Sequence, residues 1–292
     1  MEFEKVLVTG GAGLLGRYVV GELQDRCTVT GLDRTAGVGG GRWLLGDITD
    51  IGAVSAAAED QHAVIHIAAV PNIWSADPET IMRVNVLGTW NVFQAAEAMG
   101  VRRVVLCSSD SVVGFTVREG KMEPPLYAPV DLEHPLQATD PYALSKVLGE
   151  EIGRSFAARG MEVVVLRPVF VAYPEMADEL RVRAEDPVRY RGSMAGGPSA
   201  AGGGPLWHHV DPRDAARAFR LALALRQPNV SSSRPRSLSR PSPRSSGSNE
   251  FSGERSKYGA RRSSARTLSR RSMTWRRHAS ASGSWPSTNS VT

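Results

Sequence analysis

The stretch Thr9-Gly10-Gly11-Ala12-Gly13-Leu14-Leu15-Gly16 decides the fold. It lies between an apolar strand-like run, Val6-Leu7-Val8, and a helix-like run from Leu14 to Leu23. Glycines at 10, 13 and 16 let a strand turn sharply into a helix and let backbone N–H groups approach a diphosphate. The helix N-terminus adds a favourable partial charge there. A glycine-rich turn alone decides nothing, because many such turns bind no ligand. Two further features give this one its meaning. Asp33 follows the next apolar strand, Val29 to Leu32, where a carboxylate can bind the ribose hydroxyls of an adenosine. Much further on comes Tyr142-Ala143-Leu144-Ser145-Lys146, with a Tyr and a Lys one helical turn apart.

Outward from the glycine turn, short apolar runs alternate with amphipathic ones to about residue 170. The strand candidates are Lys5–Thr9, Thr28–Leu32, Trp43–Leu45, Ala63–Ile67, Arg103–Cys107 and Glu162–Leu166. Helix candidates lie between them, at Leu14–Asp25, Ile51–Glu59, Pro78–Met99 and Pro141–Arg159. This alternation predicts an α/β fold: a doubly wound, Rossmann-like parallel sheet with helices on both faces. Glu119–Pro141 contains five prolines and reads as a loop over the active face. Residues 171–230 are less regular and read as a small, partial substrate lobe. Within them Gly192–Gly204 is rich in Gly and Ala. Asp211–Arg226 returns to helical periodicity, with Ala215, Phe219, Ala222 and Leu223 on one face.

The net charge of +5 over 292 residues is unevenly divided. Residues 231–292 carry 13 Lys+Arg against two acids, a net of +11, which leaves residues 1–230 at −6. The tail holds 20 serines, and its only β-branched aliphatic is Val291. Such a segment cannot bury enough apolar surface to offset ordering entropy, so it reads as disordered beyond a boundary near Pro228–Ser231. Ser, Arg and Pro are also common when a GC-rich gene is read out of frame. A frameshift and a genuine tail both fit this composition, and either leaves the lobe incomplete. The tail lacks aromatic interleaving and any regular Arg-Ser or Arg-Gly repeat, so no nucleic-acid partner is expected. Cys27 and Cys107 lie in apolar strand-like runs and read as buried small hydrophobes. No apolar run reaches 18 residues and the first strand begins at Lys5, which predicts a soluble cytoplasmic protein without a membrane partner.

The spacing of Tyr142 and Lys146 is i, i+4, which puts both on one helix face. A phenol has a pKa near 10, and a neighbouring ammonium is expected to lower it. The pair can then take a proton from a substrate hydroxyl while hydride leaves the same carbon. Lys146 can also hold a nicotinamide ribose. Ser108 and Ser109, at the end of the strand Arg103–Cys107, are placed to orient the hydroxyl.

Taken in order, these segments resemble the extended short-chain dehydrogenase/reductase superfamily, in its NAD-dependent epimerase/dehydratase branch. The resemblance rests on Thr9–Gly16, Asp33-Arg34, Gly46-Asp47-Ile48, His66–Ala69, Asn85–Thr89, Ser108–Gly114, Tyr142–Lys146, Leu166-Arg167-Pro168 and His208–Asp211 with the helix after it. It covers about residues 1–226. It implies NAD as cofactor, held by Gly10, Gly13, Leu14, Leu15, Gly16, Asp33, Arg34, Asp47, Ile48, Ala68, Ala69, Asn85, Pro168 and Val169 together with Tyr142 and Lys146. It implies Ser109, Tyr142 and Lys146 as the catalytic residues and no metal. Asp33 favours NAD, because a carboxylate repels a 2′-phosphate, whereas Arg34 beside it can accept that phosphate. The implied substrate is a sugar or sugar nucleotide, and a homodimer is the assembly the resemblance allows.

Departures from the pattern bear on the reaction. Sugar-nucleotide dehydratases resemble the chain at Asp110, but where they carry a proton-abstracting Glu next to it this chain has Ser111. The string Ser108–Phe115 is similar to that of uronate dehydrogenases, so oxidation of a sugar stands beside epimerisation. A non-catalytic NAD-binding regulator is the rival class; such proteins usually lose the Tyr or the Lys, and both are present here. Four arginines, Arg181, Arg183, Arg189 and Arg191, either clamp a diphosphate or form a solvated run with Glu179, Glu185 and Asp186. Trp74 either stacks on substrate or anchors its loop. His62, His66 and His208-His209 read as structural histidines, the last pair facing opposite sides of a strand.

Overall fold

A computed structural model describes residues 3–39, 41–114, 125–178, 181, 185 and 209–225. Six strands form one sheet in the order β3-β2-β1-β4-β5-β6, all neighbours parallel. They are β1 (Lys5–Thr9), β2 (Thr28–Asp33), β3 (Arg42–Leu45), β4 (Ala63–His66), β5 (Arg103–Cys107) and β6 (Glu162–Leu166). Strand order reverses between β1 and β4, which opens a crevice at the carboxyl ends of the strands, where ligands bind in sheets of this kind. Register brings the ends level: Thr9 pairs with Leu32 and His66, and Cys107 with Leu166. Every loop expected to carry the site leaves from this one edge.

The sheet separates two cores because successive strand residues face opposite sides. Val6 and Val8 join Leu15, Val19, Val20 and Leu23 of α1 (Leu14–Leu23). Leu7 and Val64 join a second cluster with α2 (Ile51–Ala58), α4 (Gly88–Ala98) and α5 (Pro141–Ala158). A short helix α3 (Pro78–Met82) leads into α4 through a π turn at Arg83–Leu87. The run Pro78–Met99 is therefore helical almost throughout, but with a local widening the sequence did not signal.

The last described helix, α6 (Pro212–Ala224), buries Ala215, Ala216, Phe219, Ala222 and Leu223 in the α1 cluster. The face read from the sequence is the buried one, and it packs against α1 beside the six-stranded sheet. Arg103 secures its end. This arginine is 2% exposed, lies over the Phe3 ring and pairs with Glu162. It also donates to the carbonyls of Leu223 and Ala222, the C-terminal groups of a helix that a cation complements. A two-stranded sheet joins β7 (Phe170–Val171) to β8 (His209–Val210) in parallel. Residues 125–140 contain no helix or strand, as the prolines predicted. The expected loop Gly192–Gly204, the residues Arg183, Arg189, Arg191 and His208, and the tail 231–292 lie outside the described residues. Arg181 pairs with the exposed Asp178 at 3.0 Å.

Candidate active site

The glycine turn has the geometry its sequence demands. Gly10 has φ +73°, a conformation side chains rarely adopt, and a Cβ there would lie 2.6 Å from the Ala68 nitrogen. At Gly16 a Cβ would stand 2.7 Å from the Gly11 Cα and would collide with the Gly10 carbonyl oxygen. Gly13 is the N-cap of α1 and provides no side-chain cap, and no acid sits in the first turn. The N-terminal N–H groups there are thus free of a competing side-chain acceptor, as an anion site requires. Leu14 is exposed at this end while Leu15 is buried beneath it.

Asp33 closes the turn from the side. Its Oδ2 accepts from the Ala12 N–H at 3.0 Å and its Oδ1 from the Arg34 N–H at 2.7 Å. The carboxylate therefore braces the glycine loop and keeps further lone pairs for a hydroxyl. Asp47 has a comparable support: burial opposes its charge, but the Thr49 N–H and hydroxyl, at 2.9 and 2.8 Å, and the charges of Arg34 and Arg83 hold its pKa below the usual value. Ile48 is buried; its side chain packs where Gly88 leaves room and its carbonyl accepts from Asn91 at 3.0 Å. Together the turn, the helix end and Asp33 fit a dinucleotide.

On the far side of the crevice, Asn85 sits buried in the π turn, a feature that often accompanies functional sites. Its amide accepts from the Val70 N–H at 2.7 Å, and donates to the Val70 carbonyl at 3.0 Å and to Ser145 Oγ at 2.9 Å. Asn85 thus positions the Ala68–Val70 segment, which carries Ala68 and Ala69. His66 is buried between Thr9 Oγ1, 2.7 Å away, and Thr89 Oγ1, 3.0 Å away. Burial, with a contribution from the Lys146 charge, lowers its pKa to about 3 and keeps it neutral. Trp74 is 38% exposed in its loop, where its N–H donates to Asn72.

The helix α5 begins where Asp140 caps the Ala143 N–H at 2.8 Å and Pro141 takes the first position. That start fixes Tyr142 and Lys146 at the end of β5. Ser109 lies beside the Tyr142 side chain and opposes the rise in its pKa. Ser109 Oγ also donates to Asp110 Oδ1 at 3.1 Å and accepts from the Ser111 N–H at 3.2 Å. The Asp110 N–H in turn donates to the Pro168 carbonyl at 3.1 Å, which holds Pro168-Val169 beside the serines. Lys146 Nζ donates to the Cys107 carbonyl at 3.0 Å and lies 5.7 Å from the Tyr142 ring centroid. The structure thus brings Ser109, Tyr142 and Lys146 together at the end of β5.

Two expectations are corrected. Lys146 does not lower the Tyr142 phenol in this structure. Burial pushes that phenol up, with Asp110 and Asp140 adding to the rise and Ser109 opposing it. The ammonium is itself buried, with its pKa lowered for that reason, and is directed at the Cys107 carbonyl. Ser108, offered as an alternative to Ser109, faces the other way. Its hydroxyl donates to the buried Glu150 at 2.6 Å, and Glu150 accepts two bonds from Arg167 at 2.8 and 2.7 Å. Glu150 was missed, although it falls four residues beyond Lys146 and eight beyond Tyr142, on the same helix face.

Residues 6–232 match the NAD dependent epimerase/dehydratase family. The chain belongs to that family. Its cofactor is accordingly NAD, and the fold is that of its solved relatives. L-arabinose 1-dehydrogenase (NAD(P)(+)) of Haloferax volcanii is 32% identical over 187 residues, 62% of this chain and 72% of that protein. Uronate dehydrogenase of Pseudomonas putida is 28% identical, over 56% of this chain and 60% of its own length. The structure of MoeE5 in complex with UDP-glucuronic acid and NAD superposes with a TM-score of 0.60 at 28% identity, covering 76% of this chain and 73% of that one. Human 3 beta-hydroxysteroid dehydrogenase type 7 is 36% identical, but the chain spans only 42% of its length. Among the described residues, no helix is long and apolar enough to cross a membrane.

Proposed function

We propose that the chain is an NAD-dependent oxidoreductase or epimerase acting on a hydroxyl of a sugar or sugar nucleotide. The observation that carries this reading is the convergence of Ser109, Tyr142 and Lys146 at the end of β5, with the Lys146 ammonium 5.7 Å from the Tyr142 ring centroid and bonded to the Cys107 carbonyl. Ser109 has one proton to place. Turned toward Asp110, it leaves the oxygen as an acceptor for Tyr142; turned toward Tyr142, it supports the phenolate.

Tyr142 Oη takes the substrate's hydroxyl proton as the same carbon gives up hydride, which leaves a carbonyl. NAD, when bound, supplies the hydride acceptor and a positively charged ring. In the reverse direction the phenol donates its proton to the forming alkoxide. Asp33 and the glycine turn hold the dinucleotide, and Lys146 holds its ribose. The family's motifs, and at Gly10, Gly13, Gly16 and Asp33 the geometry of the turn, support this reading of the site residues.

A second reading, a sugar dehydrogenase of the uronate type, is favoured by Ser111, which cannot replace the proton-abstracting Glu of dehydratases, and by the similarity to the arabinose and uronate dehydrogenases. A screen of purified protein with NAD separates the two. Free uronic acids and aldoses that raise NADH absorbance support the dehydrogenase, and interconversion of sugar nucleotides without net NADH supports the epimerase. Turnover unchanged in Tyr142→Phe would sink both.

A further inference from the structure

Glu150 is 5% exposed, yet it is a carboxylate in the middle of α5. A buried charge of this kind is strongly unfavourable unless it is paired and hydrogen-bonded. It is both. Arg167, just after β6, grips it with two nearly parallel bonds, Nε to Oε1 at 2.8 Å and Nη2 to Oε2 at 2.7 Å. Ser108, just after β5, donates to the same Oε1 at 2.6 Å. Three elements, α5, β5 and β6, are thus tied at one carboxylate. The tie lies where the reacting groups need it. Cys107, whose carbonyl receives Lys146, and Ser109, which lies beside Tyr142, are the two neighbours of Ser108 in the chain. The Ser108 N–H completes the join by donating to the Leu166 carbonyl at 2.7 Å.

We propose that the pair of buried Glu150 and half-buried Arg167 is a positioning clamp for Lys146 and Ser109, holding the ends of β5 and β6 to α5 and cancelling the charge that either partner alone would impose on the Lys146 ammonium. The proposal rests on the reading of Ser109, Tyr142 and Lys146 as the hydride-transfer site. Glu150 is a positioning residue and touches no reacting atom. Its carboxylate is bonded to Ser108, the residue next to Cys107, whose carbonyl receives the Lys146 ammonium, so a charge left uncompensated there is expected to shift that ammonium by about one pH unit. The other charged or titratable groups around Lys146 and Tyr142 are His66 from β4, Cys107 from β5, Asp110 beyond it and Asp140 at the start of α5. Within the site as described, only Glu150 comes with its own neutralising partner at two bonds.

The test is a titration of Lys146 in the full chain, which needs no turnover. The sequence has four lysines, Lys5, Lys121, Lys146 and Lys257, so a 13C-lysine NMR spectrum resolves them, with Lys146→Arg giving the assignment. Arg167→Met leaves Glu150 uncompensated and raises the Lys146 pKa by about one unit. Glu150→Gln leaves Arg167 uncompensated and lowers it by a similar amount, while the amide oxygen still accepts from Ser108. The double variant Glu150→Gln/Arg167→Met returns it to within a few tenths of the wild-type value. A merely structural pair would lower the melting temperature and leave the Lys146 titration in place. Glu150→Gln is isosteric, so it decides the matter even where Arg167→Met does not fold: an unchanged Lys146 pKa in that folded variant overturns the proposal, as do shifts of one sign in both single variants. Failure of the catalytic reading shows instead as turnover retained in Tyr142→Phe, whatever Lys146 does.

Discussion

Alanine in place of Gly16 isolates what the glycine turn contributes. The added Cβ would stand 2.7 Å from the Gly11 Cα and would meet the Gly10 carbonyl oxygen more closely still. Carbon–carbon contacts are comfortable at roughly 3.5 Å, so the Gly11 contact alone makes the start of α1 retreat by about 0.8 Å, and the closer Gly10 oxygen demands more. It cannot retreat freely, because Leu15, Val19, Val20 and Leu23 hold the helix in the core beside Val6 and Val8. Overpacking of this sort costs about 1–3 kcal/mol of stability. The retreat also withdraws N–H groups from the diphosphate, and each hydrogen bond to a charged group lost costs about 1.5–3 kcal/mol, so NAD affinity falls by about tenfold or more. Gly21→Ala is the control, since a Cβ at that position meets nothing within 4 Å. There alanine stabilises the same helix by about 0.5–1 kcal/mol and leaves NAD binding alone. Calorimetric titration with NAD and thermal melts of both variants provide the measurement. A Gly16→Ala protein that binds NAD within twofold of wild type would refute the assignment of this turn to the diphosphate.

Asp33→Ala removes both a ribose acceptor and the brace on the Ala12 N–H, so NAD binding weakens by about 1.5–3 kcal/mol in titration calorimetry. Wild type should prefer NAD to NADP, and tighter binding of NADP would make Arg34 the deciding residue. Tyr142→Phe should abolish NADH formation in stopped assays while leaving NAD affinity nearly intact, whereas Lys146→Ala should damage both. Stability should fall with acid through His66, whose folded pKa of about 3 lies below its ordinary 6.5. The unfolded chain then binds the extra proton, so the stabilisation is fully present above about pH 6.5 and is lost by about 1.4 kcal/mol per unit toward pH 3. Chemical denaturation of wild type and His66→Gln across that window checks this, with a shallower slope expected in the variant and an equal slope counting against it.

What could be read from the sequence is what local chemistry fixes. The turn at Gly10–Gly16 follows from positions where a Cβ is excluded, and the helix start at Asp140-Pro141 follows from a cap and a residue without an N–H. Tyr142 and Lys146 meet because four residues make one turn. The buried face of α6 was legible from Ala215, Phe219, Ala222 and Leu223, but not its destination on α1, since an apolar stripe does not name its partner. The π turn at Arg83–Leu87 was hidden because one widened turn leaves the surrounding pattern helical. β7 and β8 have two residues each, too few for any periodicity.

The error over the phenol has the same root, and it bears on how the site works. Spacing on a helix fixes which Cβ atoms are neighbours, not where a long side chain ends. Lys146 has a carbonyl acceptor across the sheet edge, at Cys107, 39 residues away in sequence. With that partner taken, the pKa of Tyr142 is raised first by burial, opposed by Ser109, and raised further by Cys107, Asp110 and Asp140, contributions that helix spacing alone does not reveal. All but burial and Asp140 depend on how the end of β5 is held, and the end of β5 is held by Glu150 through Ser108. A contact between residues 42 apart therefore bears on the lesser contributions to the Tyr142 pKa, while burial remains the largest. Among the sequence's own signals, only the recurrence at 142, 146 and 150 along one helix face pointed to it.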